Sequence, residues 1–162
     1  MNTQYIWKKG IFDCTYKLYA NNHLTGNLRD KTFSQTNEGE INGKQYSFRT
    51  NGFFQQYTQI FNQFGLLIGE IEYNFWMTKA NIKLGDQLIS WKYDNIWNTK
   101  WSMSNSEGLK IESSNSTTSG RISSNSEDEL LLLIGLFVTN YYKQMTIAVM
   151  VAVFVPLWTT LF

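Results

Sequence analysis

The sequence predicts a mainly β protein: about twelve short antiparallel strands, then one apolar C-terminal helix and a hydrophobic tail. Three observations carry this. Turn-forming residues recur every 8–12 residues or so through 4–124, the spacing of a barrel or a sandwich. Between the turns, apolar and polar residues alternate, which puts one face in a core and the other in water. Beyond Asn125 the alternation stops, and from Leu130 to Phe162 the only formal charge is Lys143.

The elements follow in order. Segments 4–9 and 11–20 open the series; in the second, Cys14, Tyr16, Leu18 and Ala20 oppose Asp13, Thr15 and Lys17. Asn21-Asn22 turns the chain into 23–33. Segments 38–42 and 44–50 flank Asn42-Gly43, a strong hairpin signal because both residues tolerate positive φ. Segment 53–61 leads to the Asn62–Gly65 turn, and in 66–75 Leu67, Gly69, Ile71, Tyr73 and Phe75 oppose Glu70, Glu72 and Asn74. Segments 77–84 and 87–94 flank Gly85-Asp86, with glycine first as a type II′ turn demands. There Ile89, Trp91 and Tyr93 oppose Ser90, Lys92 and Asp94. Segments 99–104, 108–114 and 117–123 complete the twelve. Ser124–Glu129 then gives a polar start with acids in a first turn, so a helix begins near 127. It carries Leu130–Val138, apolar all round, and the polar patch Thr139–Gln144.

Composition narrows the function. The 162 residues suit one domain with an appended segment. With 14 basic and 13 acidic residues, the chain lacks the basic footprint of a nucleic-acid binder. Residues 1–126 hold 13 of the basic and 10 of the acidic groups, whereas 127–162 hold three acids and Lys143. One cysteine and one histidine exclude a disulfide framework, a Cys/His zinc site and most catalytic triads. No apolar run follows Lys8-Lys9, so no secretory signal is expected. An unpartnered Cys14 fits a reducing compartment, and the Asn115-Ser116-Thr117 sequon is expected to stay unused.

Twelve antiparallel strands followed by an apolar helix is an unusual order of elements. It resembles the tubby C-terminal-like superfamily, which includes the tubby domain, the phospholipid scramblases and the LURP-one-related proteins. Ile41-Asn42-Gly43-Lys44-Gln45-Tyr46-Ser47-Phe48 and Phe64-Gly65-Leu66-Leu67-Ile68-Gly69-Glu70-Ile71 are similar to phrases of that family. The resemblance covers roughly 4–144. It implies a barrel domain over 1–144 closed around a central helix at about 127–144, with 145–162 as an additional hydrophobic tail. Family members that bind phosphoinositides use basic clusters; no such motif matches here residue by residue, and none is carried over. Simple geometry agrees with the barrel. Twelve strands ~4.8 Å apart and tilted ~40° close at a diameter of ~24 Å, which leaves room for one helix.

Candidate chemistry is sparse. There is no phosphate-binding loop, nucleophile elbow, H-E-x-x-H or C-x-x-C, and no cofactor or metal is expected. Glu70 and Glu72 read as a solvated strand face, His23 as a surface turn residue, and Cys14 as a buried inert thiol. Trp91, Tyr93, Trp97, Trp101, Tyr57 and Phe61 read as barrel interior. The lysines are more informative. A two-residue loop at Gly85-Asp86 makes Lys79 face Lys92 and Lys83 face Leu88, and two opposed like charges await an anion or splay apart. With Lys100 on the next strand, Lys79, Lys83 and Lys92 form a candidate site for lipid headgroups. The tail Met145–Phe162 is uncharged and near the lower length limit for a spanning helix. Met145, Ile147, Val149, Val151, Val153, Phe154, Leu157 and Trp158 would form the membrane segment. Trp158 would anchor its far end, and Tyr141, Tyr142 and Lys143 would mark the cytoplasmic boundary.

The function expected is therefore a non-enzymatic barrel, facing the cytoplasm, held on a membrane by its tail. Membrane lipid is the expected partner, nucleic acid is not one, and a protein partner is left open. The alternatives are a cytosolic interaction module without membrane contact, or a protein that handles a lipid or small ligand in an interior cavity.

Overall fold

The structure, a computed structural model, describes residues 1–31, 34–52 and 56–161. Among these the twelve strands are β1 (Thr3–Lys8), β2 (Thr15–Ala20), β3 (His23–Arg29), β4 (Thr36–Ile41), β5 (Lys44–Asn51) and β6 (Tyr57–Asn62), then β7 (Leu67–Tyr73), β8 (Lys79–Leu84), β9 (Gln87–Tyr93), β10 (Lys100–Ser104), β11 (Lys110–Asn115) and β12 (Ser119–Ser124). Each pairs antiparallel with its neighbours in sequence, and β1 pairs with β12 to close a barrel. The turns form where φ > 0 is available: Asn42 and Gly43 sit at 48° and 76°, Asn21 and Asn22 at 49° and 65°. The expected strand ends at Thr32-Phe33 and Phe53–Gln55, and the terminal Phe162, lie outside the described residues.

Antiparallel closure sends successive connections alternately to two mouths. The chain start, the turns β2–β3, β4–β5, β6–β7, β8–β9 and β10–β11, and the lead into the helix lie at one mouth. The connections β1–β2, β3–β4, β5–β6, β7–β8, β9–β10 and β11–β12 lie at the other.

Several expected faces are corrected. A turn at Gly10–Asp13 delays β2 to Thr15, with the Asp13 amide donating to the Gly10 carbonyl at 3.2 Å. Cys14 therefore precedes the strand and is exposed, not buried. A bulge between Ile60 and Phe61 changes the register against β7, so Leu67 faces solvent and Ile68 packs on the core. In β6 the inward residues are Thr58 and Ile60, which leaves Tyr57 and Phe61 on the outer face. The Arg49 guanidinium covers the Phe61 ring at 4.5 Å. Phe75 and Trp97 fall in loops and are 86% and 78% exposed. Trp91 and Trp101 are fully buried, and Tyr93 is half-buried beside them.

The helix α1 (Leu130–Leu161) is a single unbroken element of 32 residues. It starts at Leu130 and not near 127, because the acids precede it: Asp128 Oδ1 accepts from the Leu130 amide at 3.1 Å, the work of a cap. No glycine or proline interrupts 136–155, so nothing stops the helix at Gln144. Every residue from Leu130 to Asn140 is buried. Around the helix, Leu133 meets Gly39 of β4, and Phe137 stacks on Phe48 of β5 with centroids 4.6 Å apart. Asn140 accepts from the Tyr16 hydroxyl of β2 at 3.1 Å, and Tyr142 lies 5.5 Å from the Trp91 ring of β9. These strands surround the barrel, so the helix runs through its interior. Gly135 is required there: a Cβ would sit 2.3 Å from the Trp101 ring of β10. From Ile147 onward every described residue except half-buried Ala148 is exposed.

Candidate membrane-facing site

The polar patch that follows the apolar block forms a collar where α1 leaves the barrel. The Tyr141 hydroxyl donates to Gln56 in the β5–β6 loop, and its ring stacks on Tyr73 at 3.9 Å. The Tyr142 hydroxyl accepts from the Asn74 amide at 3.2 Å and donates to the Lys79 carbonyl. Lys143 lies over the Trp7 ring, 5.7 Å from its centroid. The Gln144 amide donates to Asp30, which also pairs with Lys9 at 3.4 Å. Four consecutive side chains thus reach four different parts of one rim and fix the helix axially. Burial pushes Tyr93 and Tyr141 up to about 12 and raises Tyr16, Tyr73 and Tyr142 as well. Burial, with the Lys9 charge nearby, lowers Lys143.

Beyond the collar, α1 projects from the mouth bearing the β1–β2, β3–β4 and β7–β8 loops, here the tail mouth. Ile147, Val149, Val151, Val153, Phe154, Leu157 and Trp158 are exposed, and Met145 is half-buried at the rim. The helix is long and apolar enough to cross a membrane. Pro156 lies inside it, a position that membrane helices tolerate.

The structure brings three of the four candidate lysines together. Lys79 faces Lys92 across β8 and β9, with Ala80 opposite Trp91 and Ile82 opposite Ile89 on the inner face. Lys100 begins β10, and its carbonyl accepts from the Asp94 amide at 2.9 Å. Asp94 lies 3.8 Å from Lys92 and offsets part of the like-charge repulsion. Lys83 is separate. It lies four residues from Lys79, about 13 Å along the strand, in the opposite half of the barrel and across from Glu70. Glu70 and Glu72 point outward between Gln59 and Lys83 and between Tyr57 and Asn81. Hollow space lies elsewhere. A cavity of about 180 Å³ opens at the collar beside Asn37, Gln56, Asn140 and Gln144. A groove of about 500 Å³ crosses the outside of β3–β6 past Arg29, Glu38, Glu40 and Tyr46.

Two features escaped sequence reading. Counting each loop with the nearer half of each strand, the tail mouth holds eleven of the 14 basic and five of the 13 acidic residues. The opposite mouth holds three and seven, with Glu70 at the midpoint of β7. The second is a repeated hexapeptide. Asn74-Phe75-Trp76-Met77-Thr78-Lys79 and Asn95-Ile96-Trp97-Asn98-Thr99-Lys100 form the β7–β8 and β9–β10 loops. Asn74 Oδ1 accepts from the Thr78 and Lys79 amides at 2.9 and 3.0 Å; Asn95 Oδ1 accepts from the Thr99 and Lys100 amides at 3.0 and 3.1 Å. Met77 and Asn98 both sit at φ 55°. The spacing N-Φ-W-x-T-K is visible in the sequence, but sequence reading assigns Phe75 and Trp97 to the barrel interior, which hides the shared loop. Comparison of the chain with protein-family models, with curated proteins and with solved structures finds no match in any of the three.

Proposed function

We propose that this chain is a non-enzymatic, tubby-like β-barrel held on a membrane by the projecting part of α1, with the barrel on the cytoplasmic side. The observation that carries the reading is the abrupt change along one helix. The barrel buries the apolar block on every side and leaves an equally apolar segment uncovered. In water such a surface must find a partner. The basic half of the barrel adjoins the emerging tail, which supports a cytoplasmic orientation and contact with anionic headgroups through Lys79, Lys92 and Lys100.

Flotation with mixed phosphatidylcholine–phosphatidylserine vesicles tests this. The full chain is expected to float and to stay bound in high salt, because the attachment is apolar. A chain ending at Gln144 keeps the buried helix and the collar. It is expected to fold, with the β circular dichroism of the full chain, and to remain in the soluble fraction. A full chain that stays monodisperse and soluble without detergent overturns the anchor. One that associates into a defined oligomer and ignores vesicles makes the tail a protein interface.

A further inference from the structure

The loops at the tail mouth carry adjacent pairs of large apolar residues on their outside: Ile11-Phe12, Phe75-Trp76 and Ile96-Trp97, all between 77% and 100% exposed. Each pair breaks the period-2 pattern, so neither residue can be absorbed by the barrel wall. Two of the pairs top the repeated hexapeptide, in which an asparagine side chain ties the turn and a lysine closes it. These loops are therefore built to one plan, and the β8–β9 hairpin joins them. The first is fastened to α1 by the Asn74–Tyr142 hydrogen bond, one turn before the helix becomes exposed.

We propose that these loops seat their aromatic tips in the interfacial layer of the same bilayer leaflet that α1 enters, so that the barrel stands end-on with its tail mouth against lipid. The inference rests on the anchor reading and goes beyond it. Three arguments favour lipid as the occupant. First, the helix leaves no gap at its near end. The helix continues unbroken into the collar, so no linker can hold the mouth away from the headgroups. Second, tryptophan with a neighbouring lysine is the chemistry of the membrane interface, the ring amphipathic and the ammonium at headgroup level. Third, the charge distribution agrees: the aromatic loops lie in the basic half, whereas the opposite mouth, which exposes Phe64, Leu66 and Leu88, is acidic.

Depth measurement on the full chain tests the proposal. A Cys14→Ser background receives one cysteine at a time, labelled with an environment-sensitive fluorophore: Trp76→Cys and Trp97→Cys at the tips, Leu88→Cys at the opposite mouth and Val153→Cys in the tail. Phe75→Cys and Ile96→Cys serve if a tryptophan variant folds poorly. On mixed phosphatidylcholine–phosphatidylserine vesicles, probes at 76 and 97 are expected to shift to the blue. They should be quenched by headgroup-level lipid quenchers and lose most of their quenching by aqueous iodide. The probe at 88 stays in water and the probe at 153 reports deep hydrocarbon. Tips that stay in water while 153 is deep overturn the end-on docking and leave the anchor intact. A probe at 153 that stays in water overturns the anchor and, with it, this proposal. Tips shielded equally with and without vesicles make the loops a protein contact and overturn the proposal.

Discussion

The two ends of α1 have the same chemistry and opposite surroundings. Leu130–Val138 is sealed by strands on every side, and Ile147–Leu161 is exposed apart from half-buried Ala148. Apolarity alone therefore does not say what a helix packs against. The barrel has a fixed height and covers about 20 Å of helix, thirteen residues from Leu130 to Tyr142, and the remainder must leave it. What separates the ends is the collar, which sets how far the helix enters.

The strongest way to break this comparison is one charge placed in each half. Leu133, with no exposure, packs against Gly39, and Leu133→Asp is expected to cost well over 3 kcal/mol and abolish cooperative unfolding of the barrel. Leu157→Asp should leave the urea midpoint of the barrel unchanged and remove vesicle flotation. Equal effects of the two variants would mean that the tail is part of the core.

A second expectation concerns pH. The buried tyrosines hold their protons above the value of 10 at which the unfolded chain loses them. Above pH 10 the unfolded state binds fewer protons than the native state, so stability falls. Their contribution is whole below pH 10 and disappears as pH climbs through the folded values. Lys143 acts in the other direction: its lowered value makes the unfolded state bind more protons below 10.5, so its own contribution rises with pH. Tyr5 and Tyr46 are raised as well, and one lysine against seven tyrosines leaves a urea midpoint flat or slightly rising to pH 10 and falling above it. A midpoint unchanged at pH 11 would deny the tyrosines their burial.

Smaller effects sharpen the comparison. Gly135→Ala raises helix propensity, yet the added methyl meets the Trp101 ring, so a loss of roughly 1–3 kcal/mol in thermal unfolding is expected from overpacking. A gain would show that the interior has slack. On the outer wall, Lys79→Glu turns the repulsive pair with Lys92 into an attractive one and should stabilise by some tenths of a kcal/mol. Lys92→Glu is expected to be close to neutral, since it also sets a second acid beside Asp94.

The sequence by itself determined the strands, the turns and much of the register. Period-2 alternation and residues that accept φ > 0 are local properties, so Asn42-Gly43 and Gly85-Asp86 fixed their hairpins, and Lys79 could be placed opposite Lys92 from the loop length alone. Alternation failed where a strand ended early or bulged, at Cys14, Leu67 and Phe75, because one residue of slip reverses every face beyond it. The candidate surface was decided only by tertiary structure. Lys83 and Lys92 belong to one hairpin, yet they lie in opposite halves of the barrel. Phe12, Trp76 and Trp97 are far apart in sequence and share one mouth, because antiparallel closure returns alternate connections to the same side. The depth of α1 was expected from the resemblance, with the central helix ending near Gln144, but no break in the chain enforces it. It is set by Tyr141, Tyr142, Lys143 and Gln144 finding partners around the rim, and those partners exist as a rim only once the barrel has closed.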